Sequence, residues 1–171
     1  MKPRPACVRN LRELPSQRDQ YPGDAEPLSE GTPLSRPLGL NRLGIHHELL
    51  PPGSRTSWPH AEEREEEFVY VLEGNPELWL DGELFPLSPG DAIAFVPGTG
   101  HAHTLLNNGS APVRLLVVGE RLAGNRVYYP FNVAGYEGFD PARRWVPEPA
   151  PHLGPHDGLP DAIRAKRARE E

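Results

Sequence analysis

The sequence predicts a single all-β domain, a small sandwich or barrel of short strands. Three observations predict it. Between Ile45 and Val118, apolar runs of strand length recur at short intervals, each closed by a Gly, Pro or Asn-Gly turn signal. Pro and Gly together supply 39 of the 171 residues, a density that suits turns and loose ends rather than long helices. A helical period is almost absent, and 171 residues is the size of one domain.

Residues 1–39 show no sustained period. Leu11 and Leu14 allow one short turn, and Pro15, Pro22, Pro27, Pro33 and Pro37 push the residue before each of them out of the helical region. This segment is expected to be an extended N-terminal arm, lying over a sheet or over a neighbouring subunit; the bland alternative is a partly disordered leader. A strand is expected over Leu43–Leu50, ended by Pro51-Pro52-Gly53. It carries His46 and His47, which as neighbours must point to opposite faces.

The clearest strand is Glu67–Glu73. Glu67, Val69 and Val71 share one face, and Phe68, Tyr70 and Leu72 the other. Both faces are apolar, so burial on both is expected, the outer one under a second layer or a partner. Gly74-Asn75-Pro76 turns the chain into Glu77–Leu80, and Asp81-Gly82 is a hairpin signal before residues 83–85. Pro89-Gly90-Asp91 leads into a strand over residues 92–96. Further strands are expected over residues 103–107 and 113–118, separated by Asn108-Gly109. Residues 126–130 read as an edge strand. Residues 131–158 read as a coil pinned by Tyr136, Phe139 and Trp145, and residues 159–171 as a terminal helix opening at Pro160. The expected organisation is an arm at 1–39, a barrel at 40–130 and an irregular extension at 131–171.

Two polar clusters stand on these apolar segments. The first is His60-Ala61-Glu62, with Glu67 after four more residues; the second is His101-Ala102-His103, with Asn107 beyond. Residues two apart on a strand share a face, so His60 and Glu62 can point together, as can His101 and His103. Imidazole and carboxylate together are donors for a divalent ion of mixed N/O preference, such as Zn, Mn, Fe, Co or Ni. The bland alternative is a solvated acidic loop beside a packed histidine.

The stretch from Gly53 to Asn107 resembles the two motifs of the cupin superfamily, and its Glu-Phe-Val-Tyr-Val-Leu-Glu-Gly run is similar to that of small bacterial single-domain cupins of mostly uncharacterised function. Gly53 stands at the start of the first motif, with six residues before His60 where five is commoner. Glu67 stands at the motif glutamate and Gly74 six residues later. Gly90, the Pro97–Gly100 turn, His103 and Asn107 match the second motif. Glu62 departs from the pattern, which has a second His there. The resemblance covers roughly residues 40–130. It implies a double-stranded β-helix (jelly-roll) barrel and one divalent metal ion, Zn, Fe, Mn or Ni, held by His60, Glu62, Glu67 and His103. If Glu62 turns to solvent, His101 is the alternative donor. Trp58 is placed to wall the pocket, or equally to sit in the core or at the rim.

Such a metal with open positions implies a protein that acts on or binds a small oxygenated molecule, an acid, a sugar or a phenolic compound, as a mononuclear-metal oxygenase or isomerase. The alternatives are a non-catalytic small-molecule sensor and a structural barrel without metal. The two-sided apolarity of residues 68–72 and 113–118 points to a homodimer that covers sheet faces and edges. A net charge of −6, with acidic residues crowded between Glu62 and Glu67, argues against a nucleic-acid partner. One cysteine, Cys7, rules out an intrachain disulfide. No run approaches the roughly 18 apolar residues of a membrane span, and no leader pattern is visible, so the expectation is a cytoplasmic protein without a membrane partner.

Overall fold

A computed structural model describes residues 3–18, 20–22, 24, 26, 28–131 and 140–169. Tyr136 and Phe139, expected as anchors, lie outside the described residues. The strands are β1 (Gln17–Arg18), β2 (Glu30–Pro33), β3 (Leu43–Leu50), β4 (Ala61–Glu62), β5 (Glu67–Glu73), β6 (Glu77–Leu80), β7 (Glu83–Pro86), β8 (Ala92–Phe95), β9 (His103–Leu106), β10 (Val113–Glu120) and β11 (Val127–Tyr128). Among the described residues one α-helix, α1 (Asp161–Arg167), follows Pro160, shorter than the 159–171 span expected and with no buried residue. Among the described residues no helix is long and apolar enough to cross a membrane.

The strands form a six-stranded sheet in the order β1-β2-β3-β10-β5-β8, a three-stranded sheet in the order β7-β6-β9, and a two-stranded ribbon of β4 and β11. All of the paired strands run antiparallel. Leu50, Val69, Val71, Val113 and Leu115 project from the large sheet onto Leu78 and Leu105 of the small one, closing one apolar core. Trp79, on the opposite face of β6, packs with Ala102 and Leu106 under Leu84, Tyr128, Phe131 and Leu153. Its indole N–H donates to the His156 carbonyl at 2.8 Å, so the C-terminal segment covers the back of the small sheet.

Turn chemistry sets the registers. In the β6–β7 hairpin Asp81 and Gly82 both have positive φ, 49° and 91°, which is the two-residue turn that matches strand twist. A Cβ at Gly82 would lie 2.4 Å from the Gly154 backbone, so this turn also seats the C-terminal segment.

The N-terminal arm is woven into the sheet rather than draped over it, because β2 pairs with β3 from Glu30↔Leu49 to Pro33↔His46. Arg55 fastens both tails to the barrel. Its side chain is 2% exposed. Its Nε donates to Glu26 Oε1 at 2.6 Å, its Nη2 donates to Glu26 Oε2, and its Nη1 donates to the Gly158 carbonyl at 2.9 Å.

The two faces of β5 differ in burial. Val69 and Val71 are buried, whereas Phe68, Tyr70 and Leu72 are 37%, 36% and 45% exposed. The expectation of burial on both faces therefore does not hold within one chain. The registers place Phe68 beside Val118 and Ala94, and Tyr70 beside Leu116 and Ala92, so the outer face carries an apolar patch across β8, β5 and β10, bordered by His47 and Arg114.

Candidate metal centre

The three sheets deliver one donor segment each. His60 immediately precedes β4, Glu67 opens β5 and His103 opens β9. His60 and His103 form an antiparallel bridge, with reciprocal backbone hydrogen bonds of 3.2 and 2.9 Å. Their rings are consequently neighbours, with centroids 4.9 Å apart. Ligand atoms of His60, Glu67 and His103 all lie within 4.8 Å of one another. His103 Nε2 is 3.3 Å from Glu67 Oε2, and His60 Nε2 is 3.7 Å from the same oxygen.

The second nitrogen of each ring is turned to the backbone. His60 Nδ1 donates to the Trp58 carbonyl at 2.9 Å, and His103 Nδ1 lies 3.4 Å from the His101 carbonyl. A carbonyl only accepts, so Nδ1 of each ring carries a proton; without metal Nε2 can donate to the Glu67 carboxylate, and loss of that Nε2 proton leaves the Nδ1–H form with Nε2 free as a ligand. This is the tautomer that a metal-ligating imidazole needs, and the backbone partner that usually fixes it. Donor types, spacing and ring orientation therefore fit a divalent metal ion.

Electrostatics agree with a site arranged around a cation. Burial would raise the Glu67 carboxyl, but hydrogen bonds and charge from His103 and His60 hold it well below the usual carboxylate range. Burial would lower His60, yet the hydrogen bond and charge of Glu67, with the charge of Glu62, push it up to about 9. Burial outweighs Glu67 at His103, whose value is lowered.

Glu62 stands beside this group, outside the three mutually close donors. Its Oε1 is 3.8 Å from His60 Nε2, and its Oε2 accepts from Asn125 Nδ2. Burial raises its carboxyl against the pull of His60 and Asn125. His101 is elsewhere: its side chain is 61% exposed and its Nδ1 is hydrogen-bonded to Asp81 Oδ2. The shared parity with His103 does not carry over because β9 begins only at His103. His46 and His47 sit on opposite faces of β3, and neither belongs to the group of three mutually close donors.

Aromatic rings lie around the donors. Phe95, opposite Glu67 in the β5–β8 register, stacks on His103 with centroids 3.4 Å apart and planes 3° off parallel. Tyr129 lies 5.9 Å from His60. Trp58 stacks on Tyr21 of the arm at 4.0 Å, and its Nε1 donates to Asp24 at 3.0 Å. Trp58 is buried. Sequence reasoning missed Tyr21, Phe95, Asn125 and Tyr129. Only Phe95 had a usable signal, its place in an apolar strand, and the register opposite Glu67 is not readable from that.

Residues 46–119 match the family model described as a cupin domain. An uncharacterized protein of Methanocaldococcus jannaschii is 37% identical over 75 residues, 44% of this chain and 58% of that one. Quercetin 2,3-dioxygenase of Bacillus subtilis is 29% identical over 127 residues, 68% of this chain and 37% of the enzyme. The chain thus spans less than two thirds of the length of these curated relatives. A solved sugar phosphate isomerase from Silicibacter pomeroyi superposes with a TM-score of 0.64 at 29% identity, covering 72% of this chain and 81% of that chain.

Proposed function

This chain belongs to the cupin superfamily through its central domain, and on that premise we propose that it binds one divalent metal ion and acts through it on a small oxygenated molecule. His60, Glu67 and His103 are the core ligands and Glu62 is the fourth. The observation that carries this reading is the convergence of three donors from three separate sheets within 4.8 Å, with both imidazoles turned Nε2-inward by backbone carbonyls. Two carboxylates and two imidazoles suit Zn, Fe, Mn or Ni, and the second carboxylate favours harder ions than a three-histidine set would.

A bound divalent ion with positions left open supplies Lewis acidity to a ligand oxygen. Phe95 stacked on His103 and Tyr129 beside His60 set flat rings next to the donors, which suits a planar or ring-shaped ligand, an acid, a sugar or a phenolic compound. The sugar phosphate isomerase and the quercetin dioxygenase among the similar proteins support isomerase and oxygenase chemistry, respectively, as the reaction classes to assay first. Tight ligand binding without turnover would instead identify a sensor.

The test is elemental analysis of the purified protein beside His103→Ala. About one equivalent of one metal in the wild type, mostly lost in the variant, supports the centre. Absence of metal from both after reconstitution with Fe(II), Mn(II) and Zn(II) favours a metal-free structural barrel.

The exposed Phe68, Tyr70 and Leu72, beside half-buried Leu116 and Val118, support a second part of the proposal, a homodimer through the large sheet. A contiguous apolar sheet face of this kind is normally covered in the functional assembly.

A further inference from the structure

Glu62 is not left to find its own orientation. Asn125 is buried, 7% exposed, in the turn leading into β11. Its Oδ1 accepts the backbone N–H of Arg64 at 3.1 Å. An N–H only donates, so this contact decides which way the amide faces, and the NH2 group must point at Glu62. Nδ2 then donates to Glu62 Oε2. That oxygen must offer a lone pair, and it is drawn away from the cluster, which leaves Oε1 on the side of His60 Nε2, 3.8 Å away. The surrounding ribbon is rigid. Val127 pairs with Glu62, Glu63 N donates to the Arg126 carbonyl at 2.9 Å, and Arg126 grips the Glu63 carboxylate with Nε at 2.7 Å.

We infer that Asn125 is a positioning residue of the metal centre: by holding Oε2 of Glu62 through an amide locked on the Arg64 backbone, it presents Oε1 to the metal. This rests on the proposed metal reading. Asn is suited to the task because it accepts on one atom and donates on the other. Aspartate would keep the bond to Arg64 but set an anion against the Glu62 carboxylate, and alanine would supply neither contact. Hydrogen-bonding partners of ligating carboxylates are known to change metal affinity by roughly 10- to 100-fold when removed.

The experiment is a double-mutant cycle read by Co(II) binding and the Co(II) visible spectrum. It uses wild type, Asn125→Ala, Glu62→Ala and the double variant, with melting temperatures recorded on each. Arg126→Ala, which removes the Glu63 ion pair on the same ribbon without touching Glu62, controls for general loosening. The expected result is about a 10-fold or greater loss of Co(II) affinity and an altered spectrum for Asn125→Ala, and less than about a twofold further loss when it is added to Glu62→Ala. Asn125→Asp is expected to lose at least as much as Asn125→Ala despite its matching size. Equal losses from Asn125→Ala in both backgrounds would overturn the inference, as the residue would then act on the fold and not through Glu62. Wild-type affinity and spectrum in Asn125→Ala would overturn it as well. A wild-type protein that takes up no Co(II) would remove the metal reading and this inference with it, an outcome distinct from the other two.

Discussion

Replacing Arg55 with methionine removes the tie between both tails and the barrel while keeping the apolar stem that packs there. The Glu26 carboxylate, whose side chain is 4% exposed, loses two donors, and the Gly158 carbonyl loses a third. Breaking a buried pair by removing one partner costs about 3–5 kcal/mol, because the survivor is left charged in a low-dielectric site. For a chain of this length each kcal/mol lowers the melting temperature by about 2–4 °C, so a drop of roughly 6–20 °C is expected for Arg55→Met. The assay is thermal unfolding followed by circular dichroism at neutral pH. Arg55→Met/Glu26→Leu removes the stranded charge and is expected to regain most of the loss. A drop of less than about 2 °C for the single variant, or a double variant no more stable than the single one, would show that the ion pair does not hold the tails.

Other expectations follow from the same structure. In the metal-free protein His60, raised to about 9, contributes stability that is complete below its unfolded value of about 6.5 and is lost as pH rises toward 9. Glu67, held low, contributes stability that is complete above its unfolded value of about 4.3 and is lost as pH falls below it. His103, lowered by burial, in turn loses stability as pH falls below its unfolded value of about 6.5, so the melting temperature should peak near pH 6.5 without metal; a maximum above pH 8 would refute the His60–Glu67 coupling. Metal and proton compete for His60, so apparent metal affinity should climb up to about tenfold per pH unit toward pH 9, as measured by chelator competition, and a flat profile from 6 to 8 would count against His60 as a ligand. Glu62→His should change metal preference at unchanged melting temperature, read by elemental analysis after mixed-metal loading; identical preference would put residue 62 outside the coordination sphere. Phe68→Glu should shift the light-scattering mass to that of the 19.0 kDa monomer, whereas a wild type that already scatters as a monomer at high concentration would sink the dimer.

The parts of this protein that were legible in its sequence are those fixed by short-range chain geometry. Asp81-Gly82 announces its own hairpin, and the alternation in residues 67–73 announces a strand, because each depends on residues a few positions apart. His60, Glu67 and His103 were legible because each sits at a strand entrance beside its own turn. What was hidden depends on pairings across the chain. Asn125 reaches Glu62 over 63 residues, Arg55 reaches Gly158 over 103, and Asp81 captures His101 over 20. An Asn in a Gly-Asn-Arg turn and an Arg in a Ser-Arg-Thr loop look solvated until the fold closes around them. The parity argument for His101 failed for a related reason. It assumes an unbroken strand, and the chain at Gly100, with φ of 77°, has not yet become one.

That division bears on how the site is built. The three candidate ligands lie at the entrances of β4, β5 and β9, and the rings of His60 and His103 are oriented by backbone carbonyls two residues upstream in both cases. Such bonds survive any substitution that leaves the backbone in place. The surroundings are held differently. Glu62 depends on the Asn125 side chain, Trp58 on Asp24 and Tyr21, and the arm that carries those two on the Glu26–Arg55 pair. Every one of these contacts is side chain to side chain, and each joins the barrel to a tail or to the β11 ribbon. Under the proposed metal reading, ion capture is assigned to the frame, and ligand shape and the fourth coordination position to replaceable parts. On this reasoning Tyr21→Ala should leave metal stoichiometry near one and alter ligand selection, whereas His103→Ala should abolish both. If Tyr21→Ala lost its metal to the same extent as His103→Ala, the arm would have to be counted as part of the centre itself, and the separation of frame from wall would be wrong.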